Sequence, residues 1–123
     1  MRQFRFRKSE RLLKRGEFLA VSRHPSRRIR TEHFLLLVKP NQLLQTRLGI
    51  TVSKKIGSAV KRNRTKRRIR EFFRTNKHLV PSGLDLVVIA KRGAADIDAA
   101  SFKREQKELF RQIPVFNNDQ HGP

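Results

Sequence analysis

The spacing of apolar positions changes from block to block along the chain. Residues 27–39 carry a β pattern whose densest part, His33-Phe34-Leu35-Leu36-Leu37-Val38, is too apolar for a surface strand, and Pro40-Asn41 closes it. Over residues 47–53 the alternation is strict: Leu48, Ile50 and Val52 share one face, and Gly49, Thr51 and Ser53 share the other. This predicts a strand that packs on one side and is small and open on the other. Residues 84–90 are apolar throughout except for Asp85, as expected of a strand covered on both sides and central in its sheet.

Other blocks follow the helical period. Ser58 is placed to cap a helix running to about Asn76, in which Ile69, Phe72 and Phe73 form an apolar stripe with Thr65 and Asn76. Lys61, Arg64, Arg67, Arg68, Arg70 and Arg74 fall on the rest of that cylinder, and Arg62 lands beside the stripe, its stem along the core edge. A last helix over residues 99–112 carries Phe102, Leu109, Phe110 and Ile113 on one side. Near the start, Leu12, Leu13, Phe18, Leu19 and Val21 lie among cations. Gly16 there favours a loop feeding a short helix from about Glu17, which His24-Pro25 ends. The strand, helix, strand order over residues 47–90 is long enough for a crossover unit. The expected class is α+β: one domain with a roughly four-stranded mixed sheet packed with three helices. Residues 1–7 read as a flexible basic arm and residues 117–123 as a disordered tail.

Charge adds a partner to this picture. The 123 residues hold 30 Lys and Arg against 10 Asp and Glu, a net charge of +20, which destabilises a compact state by self-repulsion and calls for a polyanion. Residues 1–84 hold 24 basic and four acidic residues, while residues 85–123 hold six of each, so the whole excess lies in the first two-thirds. Cysteine is absent, which excludes disulfides and thiolate metal sites and suits a reducing cytoplasm. Phe4 and Phe6 alternate with arginines, and no apolar run long enough for a signal peptide or a membrane span follows.

Residues 61–70 contain seven cations. A solvated charged face is the usual meaning of such a run, but here only Glu71 interrupts the charge and intrahelical pairing cannot balance it; arginine forks suit phosphate, so nucleic-acid binding is the better reading. Upstream, residues 51–58 join a strand to a helix start, where free N–H groups favour an anion; an ordinary turn with Lys54 and Lys55 exposed is the alternative. Self-contained catalysis is not indicated. His24, His33, His78 and His121 lack ligand spacing, and Glu10, Glu17, Glu32 and Glu71 suggest no acid/base pair. Phe18 has two readings, core packing or stacking on a base, and packing is favoured on composition.

The ungapped stretch RLGITVSKKIGSAVKRNRTKRRIREFF, residues 47–73, resembles the signature of the bacterial ribonuclease P proteins, and weaker similarity extends over residues 8–110. The resemblance implies a left-handed crossover through the basic helix, against the general handedness rule. It also implies a noncatalytic protein cofactor that helps a catalytic RNA remove the 5′ leader of precursor tRNA. By motif, Lys54, Lys55, Lys61, Arg62, Asn63, Arg64, Lys66, Arg67, Arg68 and Arg70 would face RNA. Phe18 would line a cleft for the single-stranded leader, whereas Ser22 and Leu37 stand where the family often has aromatics and Pro25 where glycine is usual. The implied partners are the catalytic RNA and precursor tRNA, in the cytoplasm, with no membrane and no obligate protein partner. Magnesium would be held mainly by RNA, with no metal and no catalytic residue on the protein. Charge and fold logic alone fit a ribosomal or other structural RNA-binding protein equally well, and a cationic DNA-binding or membrane-active protein could also exploit the charge.

Overall fold

Alternation and period turn into a three-layer arrangement in the computed structural model, which describes residues 8–12 and 14–113. The arm expected over residues 1–7, Leu13, His121 and the tail expected over residues 117–123 lie outside the described residues. The elements run α1 (Arg15–Arg23), β1 (Arg27–Arg30), β2 (Phe34–Pro40), β3 (Arg47–Thr51), α2 (Ala59–Asn76), β4 (Leu84–Ala90) and α3 (Ala99–Arg111). The four strands form one sheet in the order β1-β2-β4-β3. β1 with β2 and β2 with β4 pair antiparallel, while β3 and β4 are parallel neighbours joined through α2.

The sheet separates two apolar clusters by residue parity. Phe34, Leu36, Val38, Leu48, Leu84, Leu86 and Val88 point to the side where Ile69, Phe72 and Phe73 of α2 and Phe102 and Leu109 of α3 pack. Edge-to-face contacts join Phe34 to Phe102 at 5.7 Å and Phe72 to Phe110 at 5.2 Å between ring centres. On the opposite face Leu37 and Val87 meet Leu12 and Val21, with Leu35, Ile89 and Phe18 packed against them. β4 contributes to both clusters and sits between β2 and β3, as its continuous apolar run requires. The outer edges are protected differently. Along β3, Leu12 donates its N–H to Leu48 O at 3.0 Å and Arg11 bridges to Leu48. β1 exposes Arg27, Arg28 and Arg30, charges that discourage edge-to-edge pairing.

The structure corrects three expectations. The β pattern of residues 27–39 is two strands, because the chain turns at residues 31–33: Thr31 N–H bonds Phe34 O and the two halves pair with each other. The first helix begins at Arg15, two residues earlier than expected. Gly16 sits in the first turn, where Glu17 Oε1 accepts the Lys14 N–H at 3.1 Å and satisfies one of the orphan donors of the helix start. The Gly49 face of β3 is not open, since Gly49 is buried beneath the Phe18 ring. Elsewhere Ser58 Oγ accepts from Lys61 N–H and α2 ends at Asn76, as the cap and stripe predict. Gly57 adopts a φ of 139° between the 3-10 turn Lys54–Ile56 and α2, a conformation L side chains rarely adopt.

Candidate nucleic-acid interface

The ten residues expected to face RNA divide into groups with different surroundings. On one arc of α2, Lys61 Nζ pairs with Asp96 at 3.0 Å, Arg64 Nη2 donates to Ala95 O at 2.7 Å and Arg68 Nη1 donates to Ile97 O at 3.0 Å. Arg68 also lies over the Phe102 ring, 5.5 Å from its centre, within cation–π range. These side chains tie α2 to the segment leading into α3. Arg62 donates to Gly57 O at 2.8 Å and is half-buried, as its place beside the stripe predicts. On the other arc, Asn63, Lys66, Arg67 and Arg70 make no side-chain hydrogen bond or ion pair with another described residue. The sequence shows the charges but not this division, because the partners on the first arc lie 29 to 35 residues away and two of the three are backbone carbonyls.

The turn before α2 is closed by its own groups. Ser53 Oγ accepts from Lys55 N–H, Ser53 O from Ile56 N–H, and Lys54 O from Gly57 N–H. The anion cradle expected from free N–H groups thus loses these donors, and the turn offers the exposed side chains of Lys54 and Lys55 instead.

The unpartnered arc runs into a cleft between α1 and the sheet. Arg11, Phe18, Gly49, Ile50, Lys66 and Arg70 line a pocket of ≈ 140 Å³ there. Phe18 is half-buried, with its ring edge against Gly49 and its base on the Leu37, Val87 and Val21 cluster. It therefore packs and remains partly accessible, so the two readings of Phe18 are not exclusive. Leu37 is buried and Ser22 is exposed. Pro25 follows a helix end in which His24 N–H bonds Ala20 O, and Ser26 N–H then bonds Val38 O, leading directly into β1.

Three of the four carboxylates of the basic region are engaged with lysine or arginine. Glu10 bonds Lys77 Nζ at 2.9 and 3.0 Å, Glu71 pairs with Arg74, and Glu17 Oε2 accepts from Arg47 Nη1 at 2.8 Å. The hydrogen bond from Arg74 holds the Glu71 carboxyl below the ordinary glutamate range, against a small opposing effect of burial. Arg47 donates from Nε and Nη2 to both oxygens of Asp85, at 2.8 and 2.7 Å, so its pKa is raised chiefly by that bond. Sequence reasoning passed over Arg47. The signal was Asp85 itself, a lone charge in a buried strand, which requires a fixed partner. The structure also gathers Glu32, His33 and Glu105, whose ligand-type atoms lie within 4.8 Å of one another. Glu105 comes from α3, so histidine spacing alone was blind to it. The Glu105 carboxylate accepts the His33 backbone N–H at 2.8 Å and lies 2.6 Å from His33 Nδ1, pinning the β1–β2 turn to α3.

With this geometry in hand, the comparisons are decisive. The family model described as Ribonuclease P matches residues 6–114. The chain belongs to the ribonuclease P protein family. The ribonuclease P protein component of Citrifermentans bemidjiense is 47% identical over 108 residues, 88% of this chain and 91% of that protein. That of Syntrophus aciditrophicus is 45% identical over 114 residues, 93% and 95% of the two chains. Among solved structures, the Staphylococcus aureus RNase P protein superposes with a TM-score of 0.80 at 32% identity, covering 89% of this chain and all of that one. The Thermotoga maritima RNase P protein gives 0.77 at 34% identity, covering 85% and 98%. Membership assigns the chain the role of protein subunit of ribonuclease P, the ribonucleoprotein endonuclease of tRNA 5′ maturation, and sets aside the rivals that charge alone allowed. Among the described residues no helix is long and apolar enough to cross a membrane.

Proposed function

We propose that this ribonuclease P subunit docks on its catalytic RNA through the unpartnered arc of α2 and receives the single-stranded 5′ leader of precursor tRNA in the adjoining α1–sheet cleft. The observation that carries this reading is continuity: Lys66 and Arg70 belong both to the arc and to the cleft wall that holds Phe18. Phosphates would meet Asn63, Lys66, Arg67 and Arg70 first, with Lys54 and Lys55 beside the helix start. Lys61, Arg62, Arg64 and Arg68 would add field strength while also holding their own fold. Phe18 would offer its exposed edge to a leader base. The protein acts in the cytoplasm on two RNA partners, without an obligate protein partner.

In this reading the chemical step belongs to RNA, and magnesium, if held there, would supply an activated water for phosphodiester hydrolysis. The described carboxylates nearest the cleft fit a noncatalytic role, because Glu17 is committed to Arg47, and Asp85 to Arg47 and Asn41. Reconstitution with the cognate RNA tests the whole. The holoenzyme should cleave precursor tRNA at low magnesium better than the RNA alone, and Arg67→Ala with Arg70→Ala should abolish that advantage while the protein stays folded. An undiminished advantage in the double variant would refute docking through this arc.

A further inference from the structure

Next to Phe18 and Gly49, along α1 and β3, lies a polar cluster that the sequence pattern did not announce. Arg47, Asp85 and Glu17 come from β3, β4 and α1, and the parallel register sets Arg47 opposite Asp85. Each guanidinium nitrogen meets a carboxylate: Nε and Nη2 the two oxygens of Asp85, Nη1 that of Glu17. Asp85 is buried and takes a further bond from Asn41 Nδ2 at 2.9 Å. The Arg47–Asp85 half is thereby fixed to the sheet by bidentate geometry, and Glu17 ties α1 to it by a polar link beside the packing of Val21 and Phe18 on Leu37 and Val87. Two steps along β3, on the same face, stands Gly49 under the ring of Phe18, the residue next to Glu17.

We infer that Glu17 is a positioning residue, which through Arg47 fixes the height of α1 over β3 and so presents Phe18 to the leader. This rests on the reading that the α1–sheet cleft holds the leader. Lysine at position 47 would not substitute, because a single ammonium cannot span both carboxylates in one plane. The cluster Arg47, Asp85 and Glu17 carries a net charge of −1, so a purely electrostatic role has the opposite sign: removing Glu17 would then favour an anionic leader.

The test is the ratio of precursor to mature tRNA affinity in the reconstituted holoenzyme, with the protein's melting temperature recorded alongside. Glu17→Ala, which removes both the link and the bond to Lys14 N–H, should lower the ratio about three- to tenfold, up to the size of one weakened base stack. Glu17→Gln keeps the shape and can still accept from Arg47, so it should restore part of the loss. Phe18→Ala is the control for the cleft itself. A ratio lowered by Phe18→Ala but untouched by Glu17→Ala overturns the positioning role and leaves the cleft reading standing. A ratio untouched by either variant overturns both. A ratio raised equally by Glu17→Ala and Glu17→Gln shows charge rather than position and also overturns it, as does a fall in melting temperature with no change of ratio.

Discussion

A methyl group at position 49 would collide with the Phe18 ring, since a Cβ built there comes within 2.6 Å of the ring edge and 3.1 Å of Leu12 Cβ. Gly49→Ala should therefore cost about 1–3 kcal/mol, as overpacking does, and should lower the precursor-to-mature affinity ratio in parallel with the melting temperature. Retention of both values would mean that the ring has room to move aside. Phe18→Ala should weaken precursor binding by about 1–3 kcal/mol, the value of one base–aromatic stack, and leave mature tRNA nearly unaffected. Because Phe18 is half-buried, its removal should destabilise the protein by less than the roughly 3–5 kcal/mol of a fully buried phenylalanine. Binding measured with both tRNAs, together with a thermal melt, separates the two contributions.

Within α2 the two cationic arcs give different phenotypes. Losing Arg67 and Arg70, which have no partner among the described residues, should reduce the logarithmic salt slope of RNA binding by roughly 0.7–0.9 per lost phosphate contact. Losing Arg64 and Arg68, which hold the carbonyls of Ala95 and Ile97, should lower the melting temperature first; a salt titration and a melt on each double variant decide the matter. The tie between the β1–β2 turn and α3 gives a pH signature. Burial opposes ionisation of Glu105, but the polar groups of Thr31 and His33 around it outweigh that effect and hold the carboxyl below its ordinary value of 4.5. A depressed carboxyl contributes stability that is present above its unfolded pKa and lost as pH falls through the folded value. Stability should thus fall in acid below about pH 4.5, and Glu105→Gln should flatten that part of the curve; an unchanged acid limb would contradict it. Cap and stripe made α2 legible from Ser58, Ile69, Phe72 and Phe73. The turn at residues 31–33 was not legible, because Thr31-Glu32-His33 holds no glycine, proline, asparagine or aspartate to mark it, and the carboxylate that pins it comes from α3. Arg64 and Arg68 likewise looked free, since a backbone carbonyl leaves no mark in a sequence.

For the molecule as a whole, the excess of charge and the placement of its carboxylates divide the work between protein and RNA. Glu10→Gln, Glu32→Gln and Glu71→Gln should leave the single-turnover cleavage rate of the saturated holoenzyme nearly unchanged, whereas loss of a general acid or base would lower it by about 10²-fold or more. The α+β class and the basic helix could be read from pattern and charge because each is a local property. The cleft could not, since it depends on which residue of α1 crosses which residue of β3. Sheet order has a further consequence for the newborn chain. β4 is the last strand to leave the ribosome, yet it lies between β2 and β3, so until residue 90 has emerged β3 has no strand beside it. Sheet closure must await a long-range pairing, the slow class of folding event. The basic helix, made before β4, meets the crowded RNA of the translating ribosome while the sheet beneath α1 still lacks its inner strand: the charge of this protein is on display before its shape.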